Sequence, residues 1–165
     1  MAGARSELAT AHLTLLADYF QIHVLDEESQ TDLGDVWTEQ AALDGLASAA
    51  DALAIGTTEN LDIAVDVDIL PTEPDDEGTA FDHVIEASLY ISSGRMVVMG
   101  CTDYLPSAPR FDVPVGWIRV RASRSDSWGA VQGEDAAPVG HLWLQVWPAP
   151  RADARIIARS IPPQA

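Results

Sequence analysis

Residues Leu61-Asp-Ile-Ala-Val-Asp-Val-Asp-Ile-Leu70 alternate apolar and small or acidic side chains with a period of two. Neighbouring side chains of a strand project to opposite faces, so Leu61, Ile63, Val65, Val67 and Ile69 share one face. Asp62, Asp66 and Asp68 share the other with Ala64. The same period recurs along the chain. His12–Leu25 carries two alternations, Leu13/Leu15 and then Phe20/Ile22/Val24. The change of phase near Ala17-Asp18 predicts two short strands, or one bent strand with a bulge. His83–Ile91 alternates, and Ser92-Ser-Gly94 reads as a hairpin turn into Arg95–Met99. In Trp117–Ala122 the pattern turns Ile118, Val120 and Ala122 inward and Arg119 and Arg121 outward. In His141–Trp147 it sets Leu142, Leu144 and Val146 against Trp143, Gln145 and Trp147.

These strands lie too close together for parallel crossovers, which need a dozen or more residues. Thr38 reads as a helix N-cap, followed by Glu39 and by apolar Ala41, Ala42, Leu43, Leu46 and Ala47. That is one short helix running to about Ala49, with Trp37 placed as a hydrophobic staple. Asp26–Asp35 and Pro71–Gly78 read as acidic loops, and Ser123–Gly140 as a long polar excursion. The expected fold is mainly β: an antiparallel β-sandwich with one short α-helix after the first strands. At 165 residues the chain is expected to be a single domain, 1–165, with its core at about 11–148 and an irregular Pro- and Arg-rich tail at 149–165, in which Arg155-Ile-Ile-Ala-Arg159 is the stretch placed to dock locally.

Charge narrows the function classes. The formal net charge is -17, and there is no lysine. Ser6–Gly94 holds no Lys or Arg and twenty Asp or Glu, whereas Arg95 onward holds eight Arg against six acids. Such a chain is poorly suited to phosphate, so direct nucleic-acid and anionic-membrane binding are disfavoured. Acidity serves solubility in any case. It also steers a basic protein partner. No apolar run approaches a membrane span, and no signal sequence is visible near Met1, so a cytoplasmic location is expected. The lone Cys101 forms no intrachain disulfide.

Several short motifs occur in a particular order: Ala17-Asp-Tyr-Phe-Gln-Ile-His-Val-Leu-Asp26, Asp35-Val-Trp-Thr-Glu39 and Phe81-Asp-His-Val-Ile-Glu86. They are followed by Ser93-Gly-Arg95, Phe111-Asp-Val-Pro-Val-Gly-Trp-Ile-Arg-Val-Arg121 and Leu142-Trp-Leu-Gln-Val-Trp147. The order, over roughly residues 13 to 147, resembles the competence protein J (ComJ) family. The resemblance implies a small β-sandwich whose founding member binds and inhibits a competence nuclease, many bacterial relatives having no known activity. Trp37-Thr38-Glu39 matches the family's Trp-Thr-Glu element. The family's following run usually includes basic residues, whereas Gln40–Asn60 has none.

No catalytic constellation emerges. His12, His23, His83 and His141 lack the spacing of a helical zinc pair and read as surface or half-buried side chains; Cys101 has no neighbouring base or ligand in sequence. Asp66 and Asp68 project about 7 Å apart along one strand face, but no calcium-loop spacing accompanies them. Trp143 and Trp147 are expected either exposed, as interface anchors, or covered by the tail. The favoured expectation is a non-enzymatic acidic protein that binds a basic partner, a nuclease or toxin, with no cofactor and no metal. Its candidate partner-binding residues are Asp35, Trp37, Glu39, Asp62, Asp66, Asp68, Asp75, Asp76 and Glu77. The alternative is a small-ligand or divalent-cation module built on the Asp62/Asp66/Asp68 face. An enzyme has least support, because no nucleophile–base or metal set can be named.

Overall fold

The computed structural model describes residues 9–75, 80–126 and 140–160. Within them run the strands β1 (Ala9–Leu16), β2 (Gln21–Asp26), β3 (Leu46–Ser48), β4 (Ala52–Gly56), β5 (Asp62–Ile69), β6 (His83–Ile91), β7 (Arg95–Gly100), β8 (Arg110–Asp112), β9 (Gly116–Ser125), β10 (His141–Pro148) and β11 (Arg155–Ala158). One helix, α1 (Glu39–Asp44), joins them. The strands form two sheets, ordered β1-β5-β10-β9-β6-β11 and β3-β4-β2-β7-β8. The mainly-β expectation holds. One feature departs from a purely antiparallel sheet: β5 and β10, in the first sheet, run parallel.

The alternating faces meet between the sheets. Ile63, Val65, Val67, Leu142, Leu144, Ile118 and Val120 of the first sheet pack with Ile22, Val24, Leu53, Ile55, Met96 and Val98 of the second in one buried core. Burying such side chains contributes about 1.5–3 kcal/mol each.

Of the two readings of the phase change, two separate strands rather than one bent strand with a bulge is the one found: β1 pairs with β5, and β2 pairs with β4 and β7. The phase change at Ala17-Asp18 is where the chain crosses from one sheet to the other. β6 and β7, however, form no hairpin: β6 pairs with β9 and β11, and β7 with β2 and β8. Ser92-Ser93-Gly94 is an arch between sheets, with Gly94 at φ 79° supplying the left-handed step. A turn signal marks a reversal but does not say whether the two strands share a ladder.

The helix begins where its cap requires. The Ala41 amide donates to Thr38 Oγ1 at 3.0 Å, and the helix stops at Gly45, φ 71°, earlier than the apolar run suggested. Leu46–Ser48 is strand β3 instead. Replacing Thr38 with alanine is expected to cost about 1 kcal/mol, read as a shift of the urea midpoint; an unchanged midpoint would contradict the cap's role. The stretch of the tail expected to dock does so as a strand, β11, which adds to the edge of the first sheet.

Candidate interaction surface

Asp62, Asp66 and Asp68 lie on the outer face of β5, between β1 and β10. The register sets His12 opposite Asp66 and Thr10 opposite Asp68 on one side, and the parallel β10 brings His141 and Trp143 from the other. Asp66 therefore receives His12 Nδ1 at 2.5 Å and His141 Nε2 at 2.6 Å. Asp68 receives Thr10 Oγ1 at 3.0 Å and Trp143 Nε1 at 2.7 Å. Burial pushes the Asp66 carboxyl up, but the hydrogen bonds from His12 and His141 outweigh it and leave it below its usual range. His12 is correspondingly raised, chiefly by its bond to Asp66. The like charges on this strand face are held by neighbours within the chain. Among the described residues no cluster of three His, Cys, Asp or Glu side chains is arranged to hold a metal ion.

Asp35, Trp37 and Glu39 sit elsewhere. Residues 32–44 lie over the outer face of the second sheet, where Leu33, Val36, Trp37 and Ala41 join a second apolar cluster with Leu25, Ala52, Ala54, Val97 and Met99. Asp35 and Glu39 stay exposed beside this cover. The two candidate sets thus occupy opposite outer faces of the sandwich. Asp75 is exposed in the loop after β5; Asp76 and Glu77 lie outside the described residues.

A third feature was not foreseen. Between β1 and β2 the turn Asp18–Phe20 places Tyr19 at φ 55° and Phe20 at φ 59°. Bulky side chains pay about 1–3 kcal/mol for that region, and the fold holds them there by contacts on several sides. The Tyr19 amide donates to Asp18 Oδ1 (3.1 Å), and Thr102 Oγ1 donates to Asp18 Oδ2 (2.9 Å). Thr57 N donates to the Phe20 carbonyl at 2.9 Å. Gln21 links the turn to Trp37: its amide nitrogen donates to the Tyr19 carbonyl at 3.4 Å, while its oxygen accepts from Trp37 Nε1 at 3.1 Å and His23 Nε2 at 2.8 Å. Despite this clamp the rings stay in solvent, Tyr19 70% and Phe20 51% exposed. With Trp37, Ala42 and Thr57 they line a groove of about 350 Å³. The only sequence sign was the phase break, with two aromatics directly after it.

The arginines correct a further expectation. Arg119 and Arg121 point away from the core, yet both are buried, at 6% and 0% exposure. Glu86, on the neighbouring β6, accepts from Arg121 Nε at 2.8 Å and Arg119 Nε at 3.2 Å, with Arg155 at 3.5 Å. Arg119 also donates to the Ala152 and Asp153 carbonyls of the segment before β11. Arg121 stacks over Trp147, which is itself buried. The polar outer face of this sheet is a covered layer. His83 is buried as well, its Nε2 donating to the Asp44 carbonyl and its Nδ1 accepting from Ser160 N, and burial lowers its pKa. Cys101 is no activated thiol: burial, then Asp18 and Asp103, push its pKa up.

No protein-family model matches the sequence, and no curated protein matches it. Solved structures do. ComJ from Bacillus subtilis, an inhibitor of the DNA-degrading activity of NucA, superposes with a TM-score of 0.63 at 13% identity, over 89% of this chain and 100% of its own. The product of crocagin biosynthetic gene J superposes with a TM-score of 0.55 at 19% identity, over 85% and 97%. At these identities the likeness is one of fold.

Proposed function

We propose that this chain, with its ComJ-like fold, is a non-enzymatic, inhibitor-type binding protein whose partner is a basic protein of the nuclease or toxin kind. The charge arrangement is the observation that carries this reading. Arg95 and Arg110 meet Glu27; Arg119, Arg121 and Arg155 meet Glu86; Arg124 meets Asp126, Arg151 meets Asp153 and Arg159 meets Asp44, all within 4 Å. Positive charge is thereby matched locally, while Glu28, Asp32, Asp35, Glu39, Glu73 and Asp112 face solvent. The field presented to an approaching molecule is acidic, suited to a surface that otherwise receives phosphates. The inhibitor named among the similar structures supports the same direction.

Immobilised protein is expected to retain a basic protein from a host lysate at low salt. The retained fraction should degrade DNA, or show its toxic activity, only once separated. Affinity should fall about tenfold or more between 50 and 300 mM salt, because exposed charges separated by more than a Debye length of about 8–10 Å are largely screened. Recovery of no specific basic protein, or a retained enzyme that is equally active when bound, would refute the proposal.

A further inference from the structure

We infer that the groove between Tyr19-Phe20 and Trp37 is the docking point for an arginine- or lysine-bearing segment of the basic partner, an inference that rests on the inhibitor-type reading above. Three observations converge on it. First, among the described residues Tyr19 and Phe20 are the non-glycine residues at positive φ, and both are exposed large hydrophobic side chains. Rings held in water contribute little to the core, so the left-handed backbone at both positions is not repaid by burial. A surface that presents rigid aromatics for contact is where such strain is kept.

Second, the groove is lined by aromatic residues from two segments, joined through Gln21, which ties the Tyr19 carbonyl to the Trp37 indole. A guanidinium or ammonium group lying on aromatic faces is attracted by their quadrupoles. Third, the charge matches. Exposed Asp35 and Glu39 flank Trp37 along the chain. Arg124 reaches the Gly56 carbonyl at the groove's margin at 2.6 Å, with Asp126 bound to its Nε. The β5 aspartates, by contrast, are engaged by His12, His141, Thr10 and Trp143.

The test uses a synthetic peptide of alternating arginine and glycine, with a citrulline counterpart of nearly the same shape and no charge, titrated into the full chain at low salt and followed by NMR. Saturable shifts are expected at the Trp37 indole and the Tyr19 and Phe20 amides, and the citrulline peptide should bind at least tenfold more weakly. Tyr19→Gly with Phe20→Gly should weaken the arginine peptide at least tenfold while the melting temperature holds or rises, since glycine adopts positive φ freely. Tyr19→Asn, also tolerant of that region, repeats this arm should the double variant fold poorly. Shifts centred on the β5 face, shifts spread evenly over the acids, or a well-folded variant that binds like the parent would overturn the inference. Those results leave the inhibitor-type reading standing, whereas a lysate without a basic partner fails that reading even where the arginine peptide binds the groove.

Discussion

Glu86→Ala is expected to lower the unfolding free energy by about 3–5 kcal/mol, the range for removing one partner of a buried ionic group. Arg119 and Arg121 are buried, and Glu86 is their shared counter-charge. Without it two guanidinium groups remain out of water beside each other. The same site predicts acid sensitivity. Burial pushes the Glu86 carboxyl up, but the hydrogen bond and charge of Arg121, then Arg119 and Arg155, hold it below its ordinary value. Its contribution is therefore complete above the unfolded-state pKa and is lost as pH falls through the folded-state one. Urea unfolding at neutral pH and again near pH 3 measures both effects. A variant within 1 kcal/mol of the parent at neutral pH would sink the argument, as would a variant that keeps the parent's full loss of stability on acidification.

Asp26→Ala is expected to cost about 2–4 kcal/mol, for a different reason. Asp26 ends β2 and is 1% exposed. Its carboxylate accepts from the Ser92 and Ser93 amides at 3.2 and 3.1 Å, from their hydroxyls at 3.0 and 2.7 Å, and from Glu28 N at 3.1 Å. One side chain thus fastens β2 of the second sheet to the arch leading out of the first. Burial raises its pKa, but the Ser93 hydroxyl and amide and the remaining donors bring it below normal, so its contribution too is present at neutral pH and lost on acidification. Asp26→Asn keeps the shape, loses the charge and supplies an amide donor where donors already crowd. It should recover little of the loss. Full recovery by asparagine would show that shape, not charge, makes the clamp.

Asp26 also shows where sequence reading stops. It reads as the start of an acidic loop, three acids following one another at 26–28, and nothing local says that the first of them is enclosed by serines 66 and 67 residues away. The β5 alternation was legible because one face is core and the other polar. The Thr38 cap was legible because capping is local. β4 was not, since Ala52-Leu-Ala-Ile-Gly56 has both faces buried and so no alternation to read. Arg119 and Arg121 were placed on the correct side of β9, but periodicity cannot report that Trp147 and the residues before β11 cover that side. The strained Tyr19-Phe20 turn needed backbone angles.

The parallel pairing of β5 with β10 has a kinetic consequence. Val65 lies beside Leu142, so a central neighbour in the first sheet is recruited from far along the chain. Contacts of such separation close large loops before they are rewarded, which slows folding towards the millisecond-to-second range. During synthesis, β5 emerges long before His141 and Trp143 reach it, and until then Asp66 and Asp68 repel each other on a strand with β1 as its only partner in the sheet. A nascent chain stopped short of β10 would leave one hydrogen-bonding edge of β5 unpaired and be prone to aggregate.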